Sequence, residues 1–466
     1  MMLLSAEEMT NVGVVSGETI DRLVWTAVFG ETAELRGIAR WNIRKAADAA
    51  DLRPASIHEV YMAMGRGEAG GFTVPAINIR AMAYDSARAV VRAAKKLDVG
   101  ALIFEIARSE IGYTEQRPHE YAAVVLGAAL REGFSGPLFI QGDHVQVNAK
   151  KYSGPERARE LDAIRSLIQE EIAARFYNID IDTSTLVDLG KPTLEEQQAA
   201  NTSLAAEFTA FIREREPQGV TISVGGEIGE VGGKNSDVHE LHAFMRGYLA
   251  ALKARRRDAV GASKISVQTG TAHGGFINPD GTVRMDVKID LNTLAELSAV
   301  ARKDYGLAGA VQHGASTLPL DAFNAFPRVG ACEIHLATDF QNMIYEHPQF
   351  PSGLKAEMYA WLGEHAAEER KPKDTNEQFI YKARKKAIGP FKKRMWSIGE
   401  EARQAIGGSL EERFSFLMRQ LNVSGTTSIV SRLVQPPRLS IDRDAEIRAA
   451  AGQITASEKK ADGLAD

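Results

Sequence analysis

The sequence predicts an α/β protein built as a closed (β/α)8 TIM barrel with helical N-terminal and C-terminal extensions. Between residues 72 and 339, eight short apolar, β-rich runs alternate mostly with longer amphipathic stretches. This alternation is typical of parallel strands joined by crossover helices. Eight such units in about 270 residues match the size of a closed barrel. An open doubly wound sheet is the alternative, but no GxGxxG motif follows the first run.

The eight apolar runs are the predicted strands of the barrel. In chain order they are FTVPAINI (72–79), ALIFEIA (101–107), PLFIQGDH (137–144), FYNIDIDTS (176–184), GVTISVGGEIG (219–229), KISVQTGTAHG (264–274), AGAVQHGAS (308–316) and ACEIHLATD (331–339). Stretches between them, such as LNTLAELSAVARKDY, carry apolar residues at the three- and four-residue spacing of amphipathic helices. We therefore expect the barrel to span residues 71–345.

The flanking segments predict helices without strand alternation. Residues 1–70 are interpreted as a helical N-terminal extension. Residues 346–466 are interpreted as a helical C-terminal extension whose last part, rich in Ala, Lys, Asp and Glu, is disordered. The basic stretch YKARKKAIGPFKKRMW (381–396) is either a solvated helix face or a source of cations for an anionic substrate.

The composition indicates a globular protein of a reducing compartment. Hydrophobic residues make up 44% of the 466 residues, which is enough for a sizeable core. The net charge of −5 argues against general nucleic-acid binding, and the single cysteine excludes an internal disulfide framework. The N-terminus lacks a basic signal-peptide region, and no apolar run approaches the roughly 20 residues that cross a bilayer. We expect a cytoplasmic protein with no nucleic-acid or membrane partner.

Three histidines end predicted strands within short polar or glycine turns. They are His144 in GDHV, His273 in TAHGG and His313 in VQHGA, after the third, sixth and seventh runs. The carboxyl ends of barrel strands form one rim, so these side chains would converge there beside Asp143. Three neutral imidazoles with an open fourth position make a catalytic zinc site. Taken singly, each histidine is typical of a strand end hydrogen-bonded to a neighbouring loop.

Two acidic segments add candidates at the same rim. VGGEIGEVGGKN (224–235) predicts a mobile glycine-rich loop from which Glu227 and Glu230 reach a cation, or a plain turn with exposed acids. Asp180 and Asp182 share one face of their strand, because strand side chains repeat every two residues. Two like charges on an inward face need a partner, so they lie at the rim or hold a cation.

Two further segments have both a binding and a structural interpretation. HGASTL (313–318) presents small residues ahead of a helix, which suits a phosphate group or an ordinary N-cap by Ser316 or Thr317. His335, within the eighth run, belongs either to the substrate site or to the core.

Together these motifs resemble the class II, metal-dependent fructose-bisphosphate aldolases over residues 72–342. The resemblance rests on VPAIN in the first strand, the Asp-His pair of the third, the glycine-rich loop, the glycine-followed histidines and TDFQ at the eighth strand. It implies that His144, His273 and His313 bind zinc and that Asp143 exchanges a proton with the substrate hydroxyl. It also implies that Glu227 approaches the metal. The implied substrate contacts are Asn78, Gly274, Gly314, Ser316, His335, Thr338 and Asp339.

The departures from the family pattern concern the substrate contacts. Asn235 stands where the family loop carries a catalytic glutamate, and GASTL replaces the phosphate-binding GGSGS. His335 and Ala337 replace an asparagine and an aspartate that contact substrate. These changes predict that fructose 1,6-bisphosphate itself is a poor substrate.

The resemblance implies a zinc-dependent aldolase that cleaves or forms a ketose phosphate or related hydroxy-ketone through a metal-stabilised enediolate. It implies one catalytic zinc ion per chain, with a monovalent cation as a further candidate, and a homodimer or homotetramer. The group that protonates the enediolate carbon is left open among Glu230, His335 and water. The alternatives are another barrel-rim metal enzyme, or a non-catalytic aldolase-like subunit or sugar-phosphate binding protein, which the missing loop glutamate favours.

Overall fold

The computed structural model describes residues 3–4, 16–229, 234–271, 277–284, 289–316 and 318–452. Within them, nine strands form one parallel sheet. In chain order they are β1 (Leu52–Ala55), β2 (Val74–Asn78), β3 (Ile103–Ala107), β4 (Gly136–Gln146), β5 (Asn178–Asp182), β6 (Ser223–Glu227), β7 (Lys264–Val267), β8 (Ala310–Gln312) and β9 (Glu333–Leu336).

Strands β2 to β9 close into an eight-stranded barrel. Each pairs in parallel with the next along the chain, and β9 pairs back onto β2. The eight predicted runs form these eight strands, so the predicted TIM barrel is confirmed and the open sheet was the wrong alternative. The predicted disordered end falls largely on residues 453–466, which lie outside the described residues.

Helices surround the barrel and form both extensions. In chain order they are α1 (Gly17–Phe29), α2 (Ala33–Ala49), α3 (His58–Gly65), α4 (Ala83–Lys96), α5 (Arg108–Thr114), α6 (Pro118–Arg131), α7 (Ala149–Ser153), α8 (Arg157–Ala173), α9 (Leu194–Arg213), α10 (Val238–Arg255), α11 (Leu291–Tyr305), α12 (Ala325–Val329), α13 (Thr338–Glu346), α14 (Ser352–His365), α15 (Asn376–Ala383), α16 (Lys392–Trp396), α17 (Glu400–Gln420), α18 (Thr427–Leu433) and α19 (Arg443–Ala451). In the part of the chain described, no helix combines the length and apolarity needed to cross a membrane.

Local sequence signals set several helix starts. Thr193 precedes α9, and its hydroxyl accepts a hydrogen bond from the backbone N–H of Glu196, whose carboxylate accepts from the Thr193 N–H. Asp237 and Glu240 make the same reciprocal pair at the start of α10. Such capping boxes satisfy backbone donors that have no partner inside the helix, and thereby fix where the helix begins.

The extensions pack against barrel helices. Helix α17 lies along α4, where Arg92 Nε is 2.6 Å from Glu411 Oε2. Helix α19 lies along α2 of the N-terminal extension, where Arg44 Nε is 2.7 Å from Glu446 Oε1, and α2 packs in turn against the barrel helix α6. Elements from both ends of the chain therefore support the barrel wall.

The short strand β1 departs from the sequence-based expectation, since residues 1–70 predict helices alone. It pairs with residues 136–139 at the start of β4, while β5 pairs with β4 from Gln141 onward. Because β4 has eleven residues, it can hold two neighbours on one side. The four residues LRPA are too few to show a period of two, and proline weakens the strand signal further.

A bulge in β4 explains the charged pair at the end of FIQGDH. The register with β5 shifts between Gly142 and Val145, and His144 has a φ of +38°. Positive φ is uncommon for a residue other than glycine, and bulges often redirect side chains beside active sites. Consecutive residues of a regular strand point to opposite faces. The bulge lets Asp143 and His144 both contact residues of the barrel rim.

Gly142 packs against a buried carboxyl group on the outer side of β4. A Cβ atom at Gly142 would lie 2.5 Å from Glu171 Oε1, on helix α8. Glu171 is fully buried, and neither of its carboxylate oxygens has a hydrogen-bond partner among the described residues. Burial raises the pKa of Glu171 to about 8. This group therefore makes folding sensitive to pH.

We expect Glu171→Gln to stabilise the protein at pH 8 but not at pH 4. The folded pKa lies above the ordinary value, so the stability that Glu171 contributes is fully present below about pH 4.5. It is lost as pH rises toward 8. At about 1.4 kcal/mol per pKa unit, the difference at pH 8 should be on the order of 2–4 kcal/mol. Urea unfolding of both proteins at the two pH values measures it, and equal pH slopes would contradict it.

Candidate active site

Buried polar side chains converge at the carboxyl ends of the barrel strands. In strand order they are Asn78 on β2, Asp143 and His144 on β4, Asp182 on β5, Glu227 on β6 and His313 after β8. Because parallel strands of a closed barrel share one rim, residues far apart in sequence meet there.

His144, Glu227 and His313 form a group that we call the rim cluster. Each offers a ligand atom within 4.8 Å of the others, and all three residues are buried. The imidazole rings of His144 and His313 are 4.3 Å apart, centroid to centroid. Imidazole nitrogen and carboxylate oxygen are the donors that zinc and similar ions take from proteins. The residues present therefore fit a divalent metal ion.

Asp182 fixes the ring of His144. His144 Nδ1 donates to Asp182 Oδ2 at 3.0 Å, while the two oxygens of this carboxylate also accept hydrogen bonds from Gln146 Nε2 at 2.6 Å and Ser184 Oγ at 2.7 Å. Burial raises the pKa of Asp182, but the hydrogen bond and positive charge of His144 more than offset it and lower the pKa. A carboxylate behind a histidine orients the ring of a metal ligand. Because Nδ1 contacts Asp182, a metal ion at His144 would have to be bound through Nε2.

His313 is fixed through both its side chain and its backbone. Its Nε2 lies 2.9 Å from Ser266 Oγ, and its carbonyl oxygen accepts hydrogen bonds from Thr271 Oγ1 at 2.9 Å and Gln312 Nε2 at 2.5 Å. Gly314 follows with a φ of +64°, which glycine adopts without steric cost. The sharp turn after β8 therefore depends on the glycine in HGAS.

The charges of the rim cluster act on one another. Burial and the neighbouring Asp182 raise the pKa of Glu227 well above its ordinary value. Burial lowers the pKa of His144, but Asp143 and Asp182 more than offset it, so this pKa is raised. Strongly shifted pKa values within one buried group of residues are common at functional sites.

Asp143 lies beside the rim cluster but contacts different partners. Its Oδ2 accepts a hydrogen bond from Asn78 Nδ2 at 3.1 Å, and its Oδ1 lies 3.1 Å from His335 Nδ1 and 4.0 Å from His144 Nε2. Burial raises the pKa of Asp143, but the two histidines more than offset it and hold the pKa well below its usual range. Asp143 is therefore ionised, as a proton acceptor must be.

His335 lies between carboxylates inside the barrel. Its Nε2 is 2.6 Å from Glu333 Oε1, and its Nδ1 is 3.2 Å from Glu105 Oε1 and close to Asp143. Its ring is 4.0 Å from that of His313, centroid to centroid. Both ring nitrogens face protein carboxylates, so the structure places His335 against Asp143 and the barrel interior.

Beneath the rim, the barrel holds an interior charged layer of Glu105, Gln141, Asp180, Lys264 and Glu333. Lys264 Nζ donates to Asp180 Oδ2 at 2.8 Å, to Gln141 Oε1 at 2.9 Å and to Glu333. Burial raises the pKa of Glu105 to about 8 and that of Asp180 to about 6. The partner that the sequence demanded for Asp180 is therefore the ammonium group of Lys264.

Apart from Asp180, sequence reasoning missed the residues of the interior charged layer, although a signal was present. Glu105 is the single acid of the apolar run ALIFEIA, Glu333 lies among apolar residues in ACEIHLATD, and Lys264 opens KISV. Glu333 and His335 stand two residues apart, so they share a face of β9. A charged residue at that spacing from a rim residue points into the barrel, where it needs a partner from another strand.

Three residues that were predicted to contact substrate form hydrogen bonds or an ion pair with other protein groups. Ser316 Oγ accepts a hydrogen bond at 2.7 Å from the backbone N–H of the residue after β9. Thr338 Oγ1 accepts one from Arg80 Nη1 at 3.2 Å. Asp339 pairs with Arg413 of α17, beside a cavity of 550 Å³. In the described structure, the polar groups of these three side chains thus contact protein groups, and their predicted contact with substrate stays a prediction.

Several predicted residues fall where the structure gives no description. His273 and Gly274 lie outside the described residues, as do Glu230 and Thr317. Asn235 is described and exposed, and its Nδ2 donates to Asp290 Oδ2 at 3.3 Å. The residue that stands in place of the family glutamate thus contacts a surface acid.

Solved structures with the same fold include enzymes of several kinds. Fructuronate-tagaturonate epimerase UxaE from Cohnella laeviribosi aligns with a TM-score of 0.51 at 12% identity, over 86% of each chain. A protein named a probable tagatose 6-phosphate kinase from Sinorhizobium meliloti 1021 aligns with a TM-score of 0.50 at 16% identity, over 81% of this chain and 97% of that one. At such identities, these similarities show the fold alone.

A sequence model of a protein family matches most of the chain. The model described as "Fructose-bisphosphate aldolase class-II" matches residues 60–409 of the 466. The match extends beyond the motifs of residues 72–342 at both ends and covers the whole barrel with the rim cluster. The family suggested by the sequence motifs is thereby confirmed. This chain belongs to the class-II fructose-bisphosphate aldolase family.

Proposed function

We propose that this chain is a metal-dependent lyase of aldolase type, which cleaves or forms a carbon–carbon bond in a ketose phosphate or related hydroxy-ketone. The observation that carries the proposal is the position of ionised Asp143 beside the rim cluster. Family membership supports the reaction class. Zinc should be preferred over magnesium, because imidazole nitrogens suit the softer ion. By resemblance, His273 would supply a third imidazole.

Different residues of the chain would bind the metal ion, accept the proton and orient the proton acceptor. A divalent ion at the rim cluster would act as a Lewis acid toward the substrate carbonyl oxygen. Asp143 would accept the proton from the hydroxyl group of the departing fragment. Asn78 Nδ2 orients Asp143, while Asn78 Oδ1 receives no hydrogen bond among the described residues. That buried oxygen is suited to accept a hydrogen bond from a substrate hydroxyl.

The proposed substrate also carries an anionic group, phosphate or carboxylate, near Lys385. Other basic residues of the 381–396 stretch are paired with acids: Lys382 with Asp374, Arg384 with Glu346, Lys386 with Glu369, Lys392 with Glu120 and Arg394 with Glu357. Within the described residues Lys385 has no ion pair, and its ammonium lies 5.5 Å from the Tyr113 ring. Burial lowers the pKa of Lys385 to about 8, and the nearby charge of Arg80 contributes to this shift. An anion beside Lys385 would supply the opposite charge that this ammonium lacks among the described residues.

We expect Lys385→Met to raise KM for a phosphorylated substrate while kcat changes little. A hydrogen bond to a charged group contributes roughly 1.5–3 kcal/mol, which corresponds to a factor of about 10–150 in KM. The matched control is Lys393→Met, an exposed lysine of the same stretch. Steady-state kinetics on both variants decide the point. Equal KM values in the wild type and Lys385→Met would remove Lys385 from the site.

Metal analysis followed by a substrate screen tests the function. We expect about one divalent ion per chain, and cleavage of at least one ketose phosphate, measured by trapping the released aldehyde. Fructose 1,6-bisphosphate should react slowly, since each unpaired substrate group costs about 1–3 kcal/mol. A kcat/KM for it of about 10⁴ M⁻¹s⁻¹ or more would show that the altered contacts are compensated.

The screen also separates the alternatives. If chromatography detects an isomer of the substrate but no cleavage products, the proposed activity would be that of an epimerase and not of a lyase. An epimerase is the activity named for one protein of the same fold. Turnover of esters or amides would indicate a hydrolase. Absence of both metal and turnover would favour a non-catalytic role.

A further inference from the structure

We propose that Glu110 and Arg80 are positioning residues that hold Asn78 and, through it, Asp143 in the geometry for proton transfer. Neither was identified from the sequence, and neither belongs to the rim cluster. The inference rests on the proposed function, because it assigns Asp143 a reactive role. Its structural part can be tested without activity.

A continuous chain of buried contacts carries the inference. Asn78 Nδ2 donates to Asp143 Oδ2 at 3.1 Å and to Glu110 Oε2 at 2.8 Å. The backbone N–H of Ala107 donates to the same Glu110 oxygen at 2.8 Å, and Arg80 Nε lies 2.5 Å from Glu110 Oε1. The exposed fractions are 0% for Glu110, 2% for Asn78 and Asp143, and 4% for Arg80. Water therefore cannot replace these partners.

The two carboxylates determine how the Asn78 amide is oriented. Only the NH2 end can donate to both Asp143 and Glu110, because the amide oxygen would face two negatively charged acceptors. With Glu110 paired with Arg80 and accepting from Asn78, Nδ2 is held toward Asp143, and Asn78 Oδ1 has no hydrogen-bond partner among the described residues. A neutral side chain at position 110 would remove this constraint on rotation.

The chain of contacts also joins separate segments of the rim. Asn78 ends β2, Glu110 lies on α5 after β3, and Asp143 lies on β4. Arg80 Nη1 reaches Thr338 Oγ1 at the start of α13, after β9. A change at Glu110 is thus transmitted to Asp143 through Asn78, rather than through the rim cluster.

Glu110→Gln is the decisive variant, and Glu160→Gln is its matched control. Glu160 is 2% exposed and pairs with Arg108 at 2.5 Å, and it accepts a hydrogen bond from the Asn148 N–H at 2.9 Å. It is buried and paired to a similar degree near the end of β4, but its partners Arg108 and Asn148 lie outside the Asn78–Asp143 contact. General loss of a buried ion pair should therefore affect both variants, whereas positioning of Asp143 should affect only one.

We expect Glu110→Gln to lower kcat by about 10- to 100-fold, the usual effect of losing a residue that orients another, with KM within about threefold and metal content unchanged. Glu160→Gln should stay within about threefold of wild type in kcat. In the Asp143→Asn background, Glu110→Gln should have little further effect, because both changes act through the same carboxylate. Multiplicative losses in the double variant, or an unchanged kcat in Glu110→Gln, would overturn the inference.

Two further measurements keep the test decisive. If Glu110→Gln does not fold, Arg80→Lys keeps the charge but loses the second arm of the guanidinium group, and the same dependence on Asp143 is expected. A crystal structure of whichever variant folds should show a rotated Asn78 amide or a lengthened Asn78–Asp143 contact. An unchanged Asn78–Asp143 geometry in that crystal structure would refute the positioning role of Glu110 and Arg80. Absence of cleavage by the wild type would instead refute the proposed function alone.

Discussion

Asp143→Asn is expected to lower kcat by a factor on the order of 10²–10⁴, the usual range for a general acid–base group, while metal content stays the same. Asparagine keeps the size of the side chain but cannot accept the substrate proton. The ionised state of Asp143 follows from its contacts with His144 and His335, which more than offset its burial. Steady-state turnover and metal analysis on the same preparations measure both quantities.

Asp182→Asn serves as the comparison for Asp143→Asn. Asp182 holds His144 Nδ1 at 3.0 Å, so its loss should weaken metal affinity by about 10- to 100-fold and leave turnover at saturating metal largely intact. Asp143→Asn would thus lower turnover, whereas Asp182→Asn would lower metal affinity. If Asp143→Asn lost the metal instead, Asp143 would be a ligand or structural support, and the proton-transfer role would have to be given up.

His144→Ala and His313→Ala are each expected to abolish stoichiometric metal binding. Each removes one donor from a buried cluster whose members lie within 4.8 Å of one another, and alanine offers no replacement ligand. His273→Ala should behave in the same way on the strength of the family resemblance. Metal content after dialysis, measured by elemental analysis, checks all three, and activity should fall with it.

The control for the histidine series is His242→Ala. His242 lies on α10, half-buried, with its Nδ1 2.6 Å from Tyr305 Oη. We expect it to keep wild-type metal content, because its ring contacts Tyr305 and Asp304 rather than the rim cluster. A full complement of metal in both His144→Ala and His313→Ala would show that the ion binds elsewhere.

Much of the fold could be predicted from local patterns. Eight strands alternate with amphipathic helices, and each strand is buried enough to appear as an apolar run, so their number and order could be read without knowledge of any contact. Closure of a barrel then brings the carboxyl ends together, which explains how Asp143, His144, Glu227 and His313 could be grouped in advance. Strand β1 was not predicted, because its four residues are too few to show the two-residue period of a strand.

The partners of the site residues could not be predicted in the same way. The barrel, its rim and the histidines at the strand ends were predictable because they follow from periodicity and chain direction. Three other features emerged from the folded contacts: Lys264 neutralises Asp180, a bulge turns His144 beside Asp143, and Arg80 and Glu110 hold Asn78. Each of these depends on a pairing between distant strands or on a local irregularity, and the charge of one residue does not specify which other residue will neutralise it.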